Sequence, residues 1–196
     1  MQLPDIFVST DIETDGSNLY ENSILSIGSA AFFEDKTLIN TFSVNLETLP
    51  GRVANLETVE WWKKFPAAWN AGRENCVTPE KGMKEYLKWL KSLPGRIIFV
   101  GYPVAFDFPF VNEYLLRFAG ENPFGFAVID MRSYMMGFRS VSFQRAGSQD
   151  WPKRWFEGHK HTHIALEDAI EQGIVFCNML EENKSPSKIK NALESL

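Results

Sequence analysis

The feature that most limits this chain is a set of three β-rich runs joined by short connections near its start. The runs "DIFVSTDI" (5–12), "ILSIGSAAFF" (24–33) and "LINTFSVNL" (38–46) are rich in β-branched and aromatic residues, and the third alternates at period two. "DGSN" at 15–18 is a turn signal between the first two. Parallel neighbours need a long crossover, so short links favour an antiparallel meander.

The chain then changes character. "ETVEWWKKFPAAWNA" (57–71) reads as helix, kinked or split by Pro66. "PEKGMKEYLKWLKS" (79–92) is an amphipathic helix, with Pro79 in its first turn and Met83, Tyr86, Leu87 and Leu90 at helical spacing. "RIIFVG" (96–101) is a short apolar run that suits a buried central strand. A helix is expected to open at Pro109 and stop at Gly120, followed by a strand over 126–131. Residues 138–162 read as a long loop with some helical turns, residues 163–181 as a last helix, and 182–196 as a polar tail on a domain spanning 1–181. This order describes an α/β domain with a mixed sheet.

Composition narrows the function classes. With 196 residues and 44% hydrophobic content, one core is expected. A formal net charge of −5 excludes a polycation, so nucleic acid would have to be held by a local basic patch or through metal ions. The two cysteines, Cys76 and Cys177, lack zinc-ligand spacing. The start "MQLPDIFVST" lacks the pattern of a signal peptide, and no run approaches the length of a membrane span. A cytoplasmic protein that makes no use of a membrane is the resulting expectation.

Asp11 and Glu13 end the first run. On a strand, residues i and i+2 share a face, so two carboxylates stand side by side and repel unless a hard cation such as Mg²⁺ or Mn²⁺ joins them. A D-x-E triplet is common by itself and also reads as surface. Asp107 follows the buried strand at 96–101, where ligands of α/β sheets collect, although it also suits a helix N-cap. His163 and Asp168 are five apart, which fits a shared site only if His163 lies at or before the helix start. Between them and the preceding strand, Arg139, Arg145, Lys153, Arg154 and Lys160 are interleaved with Trp151, Trp155 and Phe156, a pattern suited to a flexible single strand or to a solvated loop that packs its own rings. In "EWW" at 60–62, Trp62 pairs with Trp69 at core spacing, leaving Trp61 free to stack on a base or to join the core.

Taken together, "STDIETDG", "VAFDFPFV" and "HIALEDA" resemble the three motifs of the DEDDh 3′–5′ exonucleases, the DnaQ-like branch of the ribonuclease H-like superfamily, over roughly residues 5 to 180. The resemblance implies a five-stranded mixed sheet, three antiparallel strands then two parallel, flanked by helices. It implies two divalent ions, Mg²⁺ or Mn²⁺, held by Asp11, Glu13, Asp107 and Asp168, with His163 as general base. The expected activity is metal-dependent removal of nucleoside 5′-monophosphates from single-stranded 3′ ends, RNA favoured over DNA. Compact exoribonucleases of this type carry aromatics near Trp61, and Arg139, Arg145, Arg154 and Lys160 are the expected substrate cations. Some relatives also pair into homodimers around the site. One departure stands out: the family often has an "HN-x-x-FD" run where this chain has "GYPVAFD". A DNA proofreading-type exonuclease, a noncatalytic nucleic-acid-binding module and a small-nucleotide hydrolase remain the rival readings.

Overall fold

The computed structural model describes residues 3–126 and 128–184. Its sheet has the strands β1 (Asp5–Thr14), β2 (Ile24–Phe32), β3 (Leu38–Asn45), β4 (Arg96–Gly101) and β5 (Val128–Asp130), in the order β3-β2-β1-β4-β5. β1 pairs antiparallel with β2, and β2 with β3, as the short links require. β4 runs parallel to β1 and β5 parallel to β4, so the anticipated mixed sheet is present.

Helices cover both faces. The helical region splits at Pro66 into α1 (Leu56–Trp62) and α2 (Pro66–Arg73), followed by α3 (Pro79–Ser92) with the expected bounds. On one face Ile6, Val8 and Ile12 of β1 pack with Met83, Tyr86 and Leu90 of α3. On the other, Phe7 and Val100 pack with Val175, Phe176 and Met179 of α6 (Ala165–Asn183). This alternation along β1 is the period-two rule, and it sends Asp11 and Glu13 to the α6 face.

Three expectations change. The helix expected to open at Pro109 is α4 (Val104–Tyr114), which begins five residues earlier and contains that proline. Pro109 and Ala105 are exposed, so the carbonyl that the missing N–H would have satisfied faces water, and the helix continues. It passes into a π-helical turn over Leu115–Ala119 and ends at Gly120, whose φ of 77° needs glycine. The strand expected over 126–131 is only Val128–Asp130, because Asp130 caps a further helix, α5 (Met131–Arg139), accepting from Ser133 N at 2.7 Å. The last helix starts at Ala165 rather than 163 and continues to Asn183, and residues 185–196 of the expected tail lie outside the described residues. The segment 140–162 has short 3₁₀ turns at Phe143–Ala146, Ser148–Asp150 and Lys153–Phe156.

Candidate active site

The site is built where α4 and α6 meet the end of β1. Gly28 of β2 lies opposite Asp11 in the sheet. A Cβ at Gly28 would collide with the backbone of Ala165 and Leu166, so the missing side chain is what lets the first turn of α6 rest on the sheet. Gln172 then ties α6 to the strands, its Nε2 donating to Ser9 Oγ at 2.9 Å, Thr10 O at 3.3 Å and Val100 O at 3.4 Å. This docking carries Asp168 to Asp11 and Glu13, and one oxygen from each of the three lies within 4.8 Å of the others.

Asp168 is held by its own loop. Thr162 N donates to Oδ1 at 2.7 Å and His163 N to Oδ2 at 2.8 Å. His163 adopts φ 60°, the left-handed conformation that turns consecutive N–H groups toward one carboxylate. It therefore precedes the helix, the condition its five-residue spacing from Asp168 required. Its ring packs edge-on against Trp61 (4.8 Å) and Phe65 (4.2 Å). Asp107 comes from the first turns of α4 rather than from its cap. Its Oδ1 accepts from Ile12 N at 3.3 Å, the amide between Asp11 and Glu13. The start of α4 is itself fixed by Asp130 Oδ2, which accepts from Val104 N at 3.2 Å.

Burial and mutual repulsion dominate the electrostatics. Burial, then the charges of Asp107, Glu13 and Asp168, holds Asp11 well above the usual carboxylate range. Burial, then Asp168 and Asp107, pushes Glu13 up to about 9. Burial takes Asp107 to about 7 against the opposing pull of the Ile12 amide. No lysine or arginine among the described residues offsets these charges on Asp11 or Glu13. Such a group of crowded carboxylates, two buried and two half-buried, is stabilised by protonation or by a cation that joins it. An all-oxygen donor set of this kind fits Mg²⁺ or Mn²⁺. His163 moves the other way: burial, then His161, lowers its basicity, so the imidazole is neutral at pH 7 with a lone pair available.

Cavities open on both sides of the carboxylates. One of about 90 Å³ is lined by Glu13, Trp62, Trp69, His163 and Leu166. The other, about 440 Å³, is lined by Asp11, Tyr102, Trp151, Asp168 and Glu171 among others. Trp62 is core, its Nε1 donating to Thr14 O at 3.0 Å, while Trp61 is half-buried beside His163. Tyr102, in the run that departs from the family pattern, anchors the second wall: its hydroxyl accepts from Ser148 N at 2.9 Å and its ring lies 4.7 Å from Trp151.

The basic residues of 139–160 divide into two groups. Arg139 and Arg154 pair with Glu182 at 2.5 and 2.9 Å, and Trp155 Nε1 donates to the same carboxylate at 2.8 Å. Glu182 lies fourteen residues along α6 from Asp168, roughly 21 Å at helical rise, so these two cations are not gathered at the carboxylates. Arg145, Lys153 and Lys160 are exposed. Sequence reading missed Glu171, Gln172, His161, Asp130 and the anchoring part played by Tyr102. The first two were within reach, because i+3 and i+4 from Asp168 share its helix face.

A family model described as the 3′–5′ exoribonuclease Rv2179c-like domain matches residues 7–180. The Escherichia coli protein described as 3′–5′ DNA exonuclease Cap18 is 27% identical over 181 residues, covering 88% of this chain and 90% of its own length. Among solved structures, the nuclease domain of 3′hExo, a DEDDh family member bound to rAMP, has a TM-score of 0.66 at 11% identity, covering 91% of this chain and 92% of that one. S. pombe Pop2p in its Mg²⁺- and Mn²⁺-bound form has a TM-score of 0.58 at 14% identity, covering 90% and 82%. At such identities the two structures establish the ribonuclease H-like exonuclease fold and nothing finer. The family model supplies the rest, spanning nearly all of a chain whose ordered acidic motifs meet at one point: the protein belongs to the 3′–5′ exoribonuclease Rv2179c-like domain family and is a DEDDh-type 3′–5′ exonuclease.

Proposed function

We propose that this exonuclease acts on single-stranded 3′ ends, RNA in preference to DNA, with two divalent cations held by Asp11, Glu13, Asp107 and Asp168. The observation that carries the reading is the meeting of Asp11, Glu13 and Asp168 within 4.8 Å, with Asp107 bonded to the amide between the first two and no lysine or arginine among the described residues to offset the charges of Asp11 and Glu13. Pop2p, of the same fold, has been solved with Mg²⁺ and Mn²⁺. When bound, such ions stabilise the attacking and leaving oxygens of an in-line displacement.

The chain's own residues do the rest. Neutral His163 accepts a proton from the attacking water at an imidazole nitrogen. Its ring is held for this by Trp61 and Phe65, and its backbone by Asp168. The water oxygen bonds to the terminal phosphorus and the bond from phosphorus to the 3′-oxygen breaks. A nucleoside 5′-monophosphate leaves, and the shortened strand keeps a 3′-hydroxyl. Trp61, half-exposed beside His163, offers a ring to the terminal base. Arg145 and Lys160 supply phosphate contacts. Arg139 and Arg154 would have to leave Glu182 to join them.

RNA is favoured by the family description, and DNA by the name of the Escherichia coli relative. A time course on 5′-labelled single-stranded RNA and DNA of matched sequence, in Mg²⁺ or Mn²⁺, separates them. The expected result is a ladder shrinking from the 3′ end, faster on RNA and absent in Asp11→Ala. Faster loss of DNA reverses the preference. Undiminished cleavage by the Asp11→Ala protein overturns the metal assignment.

A further inference from the structure

Beside the all-oxygen cluster lies a second donor set of different chemistry. A nitrogen of His161, a nitrogen of His163 and an oxygen of Asp168 lie within 4.8 Å of one another. His161 Nδ1 is already 3.2 Å from Asp168 Oδ2, and the two imidazole centroids are 4.5 Å apart. In a tetrahedral zinc site, bond lengths near 2 Å put neighbouring donors about 3.3 Å apart. One edge therefore has the right length as it stands. The edge between the two histidines closes by a small rotation of His161, whose side chain is 58% exposed, and the edge from His163 to Asp168 already lies within 4.8 Å.

An independent observation marks the same cleft as short of positive charge. Glu171, one helical turn beyond Asp168, is 8% exposed and lines the larger cavity with His161 and Asp168, yet its Oε2 has no hydrogen-bond partner among the described residues. A buried carboxylate oxygen without a donor is costly. A cation held at His161 and Asp168 would border the same cavity.

We propose that His161, His163 and Asp168 form a binding site for Zn²⁺, and that filling it switches the nuclease off. Two imidazoles and one carboxylate favour zinc over Mg²⁺, which keeps to oxygen ligands. Zinc there would occupy the His163 nitrogen that accepts the proton and an Asp168 oxygen that serves the carboxylate cluster. The inhibitory half rests on the nuclease reading above; the binding half does not.

The two halves are tested separately. Visible absorption with Co²⁺ as probe, followed by Zn²⁺ competition, is recorded on the full chain and on His161→Ala and His159→Ala. The wild-type protein is expected to give the intense bands of four-coordinate Co²⁺. His161→Ala should weaken Zn²⁺ binding by about 10–100-fold or more. His159→Ala, outside the triad, should retain it, and thermal melting should find both variants folded. Equal zinc affinity in wild type and His161→Ala overturns the site. In the second arm, Zn²⁺ is titrated into the Mg²⁺-supported nuclease assay, and the inhibition constant should shift in His161→Ala by the same factor as the affinity. Inhibition indifferent to His161 overturns the switch. Zinc binding in a chain without nuclease activity would refute the nuclease reading and leave the metal site standing.

Discussion

α4 and α6 each deliver an aspartate from the fourth residue of the helix to the same end of β1, yet they do so by opposite means. Asp168 is satisfied locally: Thr162 and His163, just ahead of the helix, donate to both of its oxygens. Asp107 sits between phenylalanines and, among the described residues, takes its one cross-element bond from the amide of Ile12. The placement of the helices differs too. α6 is seated by a steric notch at Gly28 and by the carboxamide of Gln172, whereas the N-terminus of α4 is held by a side chain from β5, Asp130. One carboxylate thus belongs to a preformed loop and helix, and the other to an interface between helix and sheet. Removing each should have different consequences for stability even where activity is lost alike.

The largest expected effect comes from the notch. Valine favours strands, so Gly28→Val should help β2 if nothing rests on it. With the backbone of α6 lying there, we expect a loss of about 3 kcal/mol and of nearly all turnover. Chemical denaturation and the 3′-end assay measure the two losses. A variant as stable as the parent would mean that α6 does not depend on this contact.

Next come the two aspartates themselves. Asp107→Asn and Asp168→Asn should each lower turnover by at least about 100-fold. Both remove a charge that crowds Glu13, but without metal Asp168→Asn should melt lower than Asp107→Asn. Asparagine at 168 can accept through only one of its two positions, so a bond to Thr162 or His163 is lost, at a cost of about 1–2 kcal/mol. At 107 an asparagine still accepts from Ile12 while removing a charge that crowds Asp11 and Glu13, so the metal-free protein should become more stable. Equal destabilisation by both would erase the contrast between the two helices.

The same crowding makes a pH prediction. The carboxyls of Asp11, Glu13 and Asp107 all titrate higher in the folded chain than in the unfolded one, Glu13 at about 9 and Asp107 at about 7. Their contribution is fully present below the unfolded values, near pH 4, and is lost as pH rises through 7 toward 9. Melts in chelator should therefore fall across that window, and Mn²⁺ should restore stability at its alkaline end. Glu13→Gln should flatten the upper part of the fall. A metal-free protein equally stable at pH 5 and pH 8.5 contradicts the repulsion.

The contrast between the helices also explains what the sequence disclosed. The third motif is local: His163, Ala165 and Asp168 act within six consecutive residues, so their spacing contains the geometry. The meander is local too, because short links leave antiparallel pairing as the simplest outcome. α4 was misplaced because its defining contacts come from elsewhere: Val104 is held by Asp130 and Asp107 by Ile12, while the Pro109 signal points to a start the helix does not use. α5 escaped notice for a related reason. Its nine residues have Gly137 near the end, and its burial rests on Met131 and Met135 meeting rings of the 143–156 segment and α6. The basic loop shows the limit most clearly, since composition cannot say whether an arginine finds phosphate or a distant glutamate.

That limit supplies the smallest and most discriminating prediction. Arg154 and Arg139 share Glu182 about 21 Å along α6 from the carboxylates, and Arg154 is 67% exposed. Exposed pairs of this kind contribute little, so Arg154→Ala should cost no more than about 0.5 kcal/mol. The slope of substrate affinity against salt should stay unchanged, since no phosphate contact is removed. Arg145→Ala and Lys160→Ala touch no ion pair among the described residues. They should leave stability alone and reduce that slope by about 0.7 each on single strands. If Arg154→Ala reduces the slope as much as Lys160→Ala does, Arg154 exchanges Glu182 for the phosphate backbone, and the aromatic segment tied to Glu182 moves when the strand binds. If none of the three changes it, the strand is held by the carboxylate cluster and the rings beside His163, and the basic character of the loop serves α6 alone.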